Sequence, residues 1–92
     1  MIVYRLFYGK QALKALLKMD RFAARLIMDW MTAHIEGCDN PRLWGKSLVG
    51  DKADLWRYRV GDYRVLCQID DGELMVRAVE CGHRSEVYRS KR

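Results

Sequence analysis

The chain has no Cys-x-x-Cys pair, and no cluster of cysteine and histidine at zinc-ligand spacing. Its three cysteines, Cys38, Cys67 and Cys81, are odd in number and widely separated, which argues against a disulfide framework. Two of them fall in apolar strand patterns, where a free cysteine behaves as a small hydrophobe. A reducing cytosol is the simplest compartment, and a cytoplasmic location is expected. No apolar run approaches the roughly 20 residues that a membrane span needs, and Met1-Ile2-Val3-Tyr4-Arg5 lacks a signal-peptide layout, so no membrane association is expected. There is no internal repeat and no low-complexity tract. Lys46 in Trp44-Gly45-Lys46-Ser47-Leu48 sits in half of a phosphate-loop pattern, but the upstream glycine is missing. No cofactor is implied.

What remains is a 92-residue chain, read as a single domain over 1–92, with 50% apolar residues and a formal net charge of +5. That charge suits nucleic acid, an acidic protein or another anionic surface. Its distribution is more telling. Five of six lysines (10, 14, 18, 46 and 52) precede residue 53, whereas seven of eleven arginines (57, 59, 64, 77, 84, 89 and 92) follow it. Arginine is the residue suited to bidentate contact with phosphate or carboxylate. Specific anion chemistry therefore belongs to the second half.

Residues 2–8 are rich in β-branched and aromatic side chains and predict a strand. Apolar positions 12, 13, 16, 17 and 19, with lysines at 10, 14 and 18, predict a short amphipathic helix over 10–19. Asp20 is a candidate N-cap for a longer helix over 21–37, tightly joined to the first as a helical hairpin. Cys38-Asp39-Asn40-Pro41 is helix-stop chemistry, and 42–54 reads as a long surface loop. Three strands follow, over 55–60, 63–70 and 73–81, then a short basic tail over 82–92. The expected fold is α+β: an antiparallel four-stranded sheet, with 2–8 added to the three-strand meander, packed on the N-terminal helical hairpin.

The segment Leu55 to Leu66 carries the most information. Side chains alternate faces along a strand, so Arg57 and Arg59 oppose Trp56, Tyr58 and Val60. A two-residue Gly61-Asp62 turn would pair Val60 with Tyr63 and set Arg59 opposite Arg64. Like charges placed so cost roughly 0.2–1 kcal/mol. The Asp-Gly pair at 71–72 predicts a second two-residue turn, with Arg64 facing Val79 and Leu66 facing Arg77. One face then holds Trp56, Tyr58, Val60, Tyr63, Val65, Cys67, Ile69, Leu74, Val76 and Ala78, and packs on the helices. The other is open and basic: Arg57, Arg59, Arg64, Arg77 and Gln68, with Leu66 and Met75 between and no acidic residue to neutralise it. A merely solvated sheet face is the plain alternative. His83 and Tyr88 have equally plain readings as a surface histidine and a packing residue.

The order of elements, together with Ala12-Leu13, Asn40-Pro41, the run Trp56 to Val65 and Gly82-His83-Arg84-Ser85-Glu86-Val87-Tyr88, resembles the RelE branch of the RelE/ParE toxin superfamily over nearly the whole chain. The resemblance implies a small α+β toxin encoded beside a RelB-like antitoxin, one that enters the ribosomal A site and cuts mRNA there. Operator DNA would be met only through the antitoxin complex. It also implies site residues. Arg57 and Arg59 stand where relatives carry two basic strand residues, often lysines. Arg64 matches the arginine after the turn aromatic, Tyr88 the C-terminal tyrosine implicated in catalysis, and Arg84 a C-terminal arginine. Arg59, Arg64 and Arg84 are thus expected to stabilise phosphate, with Arg57, Arg77 and Lys46 holding the RNA. Arginine keeps its proton where lysine can lose one, so His83 or Tyr88 would have to act as the acid or base. ParE-type toxins share the fold but inhibit DNA gyrase without the catalytic set, and form the main alternative; an RNA-binding or co-repressor module is a third.

Overall fold

In the computed structural model, residues 2–50 and 54–83 are described. The elements are β1 (Arg5–Tyr8), α1 (Lys10–Lys18), α2 (Arg21–His34), β2 (Lys46–Ser47), β3 (Trp56–Val60), β4 (Tyr63–Asp70) and β5 (Met75–His83). They form two helices on a five-stranded sheet of order β1-β5-β4-β3-β2. Among the described residues, no helix is long and apolar enough to cross a membrane.

The helical hairpin follows from local chemistry. Gly9 donates its N–H to the Ala78 carbonyl at 2.7 Å, which fixes the start of α1 against β5. Asp20 caps α2, its carboxylate accepting the Ala23 N–H at 3.2 Å. Ala12 and Leu16 of α1, and Ala23, Ile27 and Met31 of α2, recur at helical spacing and are buried. With Ile35, all of these but Ala23 meet Tyr58, Val60, Val65, Cys67, Val76, Ala78 and Cys81 from one sheet face, and this is the core. The Tyr58 hydroxyl keeps its hydrogen bond there by donating to the Pro41 carbonyl at 2.6 Å.

Three features depart from the sequence reading. First, β1 runs parallel to β5, with Arg5 beside Met75 and Tyr8 beside Ala78, so the sheet is mixed rather than wholly antiparallel. The α1–α2 hairpin crosses one face and makes this parallel pairing possible. Second, part of the 42–54 loop pairs: Lys46 and Ser47 add a fifth strand against Arg57 and Trp56. Gly45 permits this. Its φ of +78° is a glycine conformation, and a Cβ there would run into the Arg57 carbonyl. The Trp56 indole N–H then reaches the Trp44 carbonyl at 2.7 Å.

Third, the β4–β5 hairpin is not the expected one. Its loop is four residues, 71–74, with Leu74 at φ 54° and the Asp70 carboxylate accepting the Glu73 N–H at 3.0 Å. Gln68 therefore faces Arg77, and Asp70 faces Met75. Between Leu66 and Cys67 the register shifts again: Cys67 faces Ala78, but Leu66 faces Glu80. Val79 is the extra residue of a β-bulge. The Asp71 side chain also anchors the loop. It accepts from the Tyr4 hydroxyl at 2.6 Å and from both Arg42 terminal nitrogens at 3.0 and 3.2 Å.

Candidate functional site

The Gly61-Asp62 turn is the expected one: Val60 faces Tyr63, Arg59 faces Arg64, and Gly61 has φ +61°. Directly opposed residues stand on one face. Tyr58, Val60 and Val65 are buried against the helices, so Arg57, Arg59 and Arg64 share the face turned away from them. Lys46, opposite Arg57, extends the row at one side, and Arg77 continues the face through its pairing with Gln68. Phe7, the β1 partner of Arg77, completes that side.

The cations differ in their surroundings. Arg59, Arg77 and Lys46 are exposed, and Arg57 is half-buried. Arg59 makes a long Nε contact of 3.5 Å with the Gly61 carbonyl. Arg64 is only 9% exposed, and its Nε and Nη1 atoms are buried with no hydrogen-bond partner among the described residues. Leu66, on the same face, is fully buried, so the face is not the open surface expected from sequence. The strand residue opposite Arg64 is Gly82, which places no side chain beside the guanidinium. A buried guanidinium with orphaned N–H groups is expensive unless an anion completes it.

The bulge at Val79 redistributes the end of β5. The Cys81 thiol reaches back to the Ala12 carbonyl at 3.6 Å, so Cys81 points toward α1. Glu80, its neighbour in an extended strand, must point to the arginine face, opposite Leu66. The expectation that this face lacks a carboxylate is thereby corrected. His83 stands on the other face. It faces Tyr63, with ring centroids 5.8 Å apart in an edge arrangement, on the helix side of the sheet. His83 therefore stands apart from Arg59 and Arg64. Arg84 and Tyr88 lie outside the described residues.

The far end of the face has another character. A cavity of about 420 Å³ there is lined by Asp54, Asp70 and Asp71 together with Gln68, Ile69, Met75 and Arg77. Charge along the sheet is thus graded, with arginines at the Gly61 end and carboxylates at the other. An anionic backbone is drawn to the former. On the helix side, the Tyr8 hydroxyl is pushed up to about 12 by burial, reinforced by Cys67 and Cys81. Burial also raises the Cys67 thiol, and raises Cys81 to about 11. None of these groups ionises readily.

The model of the family described as "ParE toxin of type II toxin-antitoxin system, parDE" matches residues 6–88. The chain belongs to this family, within the RelE/ParE toxin superfamily. Toxin RelE of Mycobacterium tuberculosis (strain ATCC 25618 / H37Rv) is 43% identical over 51 residues, 55% of this chain and 53% of that protein, so the match spans about half of that relative's length. The fold is similar to that in the crystal structure of the toxin–antitoxin complex RelBE2 of M. tuberculosis. There the TM-score is 0.81 and the identity 25%, over 92% of this chain and 95% of the other. The isolated E. coli RelE toxin is similar at a TM-score of 0.70 and 24% identity, over 96% and 94% of the two chains, and supports the fold. In this toxin, then, the sheet presents a buried Arg64, two of whose nitrogens lack partners among the described residues, beside a half-buried Arg57 and the exposed Arg59 and Arg77, with Glu80 on the same face. The parity of the apolar residues carried a signal for Glu80. They occupy 74, 75, 76 and 78, then 79 and 81, which leaves the polar Arg77 and Glu80 three apart, an odd spacing that two residues on one face of a strand have only across a bulge.

Proposed function

We propose that this toxin is an endoribonuclease that cuts mRNA in the ribosomal A site and stops translation. The observation that carries this reading is Arg64, a buried guanidinium with two nitrogens unpartnered among the described residues, on a cationic sheet face. Cleavage by transesterification uses the RNA's own 2′ hydroxyl as nucleophile against the adjacent phosphate. The bond to the 5′ oxygen breaks, leaving a cyclic phosphate and a 5′ hydroxyl. The reaction requires in-line geometry, donors aimed at a phosphorane, and proton transfer at both oxygens. Arg64 and Arg59 supply donors at the place where charge builds, with Arg84 as a third. Arg57, Arg77 and Lys46 hold the strand, and Tyr88 is the proton donor to the leaving oxygen. The ribosome supplies the ordered substrate.

A RelB-like antitoxin is the proposed partner. Several similar solved structures are toxin–antitoxin complexes. The outer faces of the helical hairpin also leave Leu13, Leu17, Phe22 and Leu26 exposed, large apolar groups of the kind a protein partner covers. The name of the matching family model favours one other reading, a ParE-like toxin acting on DNA gyrase. Pulse labelling after expression without antitoxin separates the two. Protein synthesis falling before DNA synthesis is the expected result; the reverse order, with gyrase-linked DNA breaks, overturns the ribonuclease reading.

A further inference from the structure

We infer that Glu80 is the general base of this toxin, the group that removes the proton from the attacking 2′ hydroxyl; the inference rests on the ribonuclease reading of the same site. Its placement is fixed from both sides of the strand. Ala78 is fully buried toward the helices, and Cys81 bonds to Ala12 on that same side. With Val79 as the extra residue, the strand's alternation puts Glu80 on the opposite face, across from Leu66. Leu66 lies directly between Glu80 on β5 and Arg57 on β3. Arg64 is the diagonal neighbour of Glu80, two residues along β4 from Leu66. Diagonal pairs of this kind have side-chain origins about 7–8 Å apart. An anion seated on the Arg64 guanidinium therefore lies within reach of the Glu80 carboxylate.

The chemistry of the face points to the same residue. Among the described residues, the charged groups on Glu80's face are Arg57 from β3, Arg64 from β4, Arg77 from its own strand and, farther along the row, Arg59 and Lys46. The arginines stay protonated and cannot accept a proton. A carboxylate oxygen can. Placed among cations, it accepts the 2′ proton while Arg64 holds the phosphate. The O2′–P bond forms as P–O5′ breaks. The proton taken by Glu80 is matched by one delivered to the departing 5′ oxygen by the general acid of the proposed function, so no net proton is consumed.

The test is single-turnover cleavage of mRNA on programmed ribosomes with saturating toxin, followed from mildly acidic to mildly alkaline pH. The parent should show a rate that rises with pH along an acid limb. Glu80→Gln, which keeps shape and removes the ionisation, should lose about 10²–10⁴-fold in rate and flatten that limb. Ribosome binding, measured by co-sedimentation, should be unchanged. Glu80→Asp should cleave at an intermediate rate with the limb retained, and it serves equally if the glutamine variant folds poorly. A parent that cleaves while Glu80→Gln cleaves at the parental rate, or slows with its acid limb intact, overturns the assignment of Glu80 alone. A parent that does not cleave ribosome-bound mRNA overturns the ribonuclease reading, and this inference with it.

Discussion

Replacing Arg64 with methionine should make the protein more stable and less active. The guanidinium is 9% exposed, and its Nε and Nη1 atoms lack partners among the described residues. Each unmade hydrogen bond of this kind costs about 1–3 kcal/mol, and exchanging a buried charge for a packed apolar group of similar volume gains about 1–4 kcal/mol in the favourable cases. Relief of the cross-strand repulsion with Arg59 contributes roughly another 0.2–1 kcal/mol. A net gain of about 1–4 kcal/mol is expected. For a domain of this size each kcal/mol moves the midpoint by about 4–8 °C, so thermal unfolding followed by circular dichroism should show a rise of at least about 4 °C. Inorganic phosphate should stabilise the parent by binding the folded state, and should leave the variant's midpoint unmoved. In single-turnover cleavage on ribosomes the same substitution should cost about 10²–10³ in rate, the loss seen when one preorganised donor is removed from a developing charge. A lowered midpoint together with an unchanged rate would refute the reasoning, because Arg64 would then be a satisfied structural residue.

Other perturbations give sharp expectations. Asp71 is held below its usual carboxylate value by its hydrogen bonds from Arg42 and then Tyr4. Its stabilising effect is therefore present above the ordinary aspartate range and lost as pH falls through the depressed value; thermal melts should show the parent losing more stability than Asp71→Asn below about pH 4. Gly45→Ala forces a left-handed φ on a residue whose Cβ meets the Arg57 carbonyl, and urea unfolding should register a loss of about 1–3 kcal/mol. His83→Ala should leave the cleavage rate unchanged, since the ring stands on the helix side of the sheet; a large loss would restore it as an acid or base. Burial raises the Cys67 thiol and takes Cys81 to about 11, so native protein at mildly alkaline pH should resist iodoacetamide at both, as counted by intact mass.

Much of this architecture is legible from the chain because it depends on short-range physics. The Asp20 cap, the Ala23–Ile27–Met31 stripe and the Gly61-Asp62 turn each depend on residues within a turn or two of one another. The alternation in β3 and β4 likewise separates arginines from Tyr58, Val60 and Val65. The losses come where longer-range packing decides. The Asp-Gly signal at 71–72 is overridden by Asp71, whose bonds to Tyr4 and Arg42 are set by distant segments, and the loop becomes four residues long. The bulge at Val79 then carries Glu80 onto the arginine face and sets His83 on the helix side; the longer loop shifts the register by two residues and leaves the faces as they were. The direction of β1 was hidden for the same reason, since a strand's own residues do not say whether its neighbour runs parallel. Burial of Arg64 and Leu66 was also beyond a periodicity argument, which sorts side chains by face without saying how deeply each lies.

The pairing of β1 with β5 has a consequence for timing. Residues 5 and 75 must meet before the sheet is whole, and closing so long a span is slow compared with forming either hairpin or helix. Arg57, Arg59 and Arg64 can stand on a formed β3–β4 hairpin before β5 docks and brings Glu80 and Gly82 beside them. A partly folded chain therefore exposes a basic hairpin with a raw β4 edge but has no assembled site. On the proposed activity, the toxin acts only once β5 has docked, and a partner that captured the open β4 edge would disarm the protein before it ever finished folding.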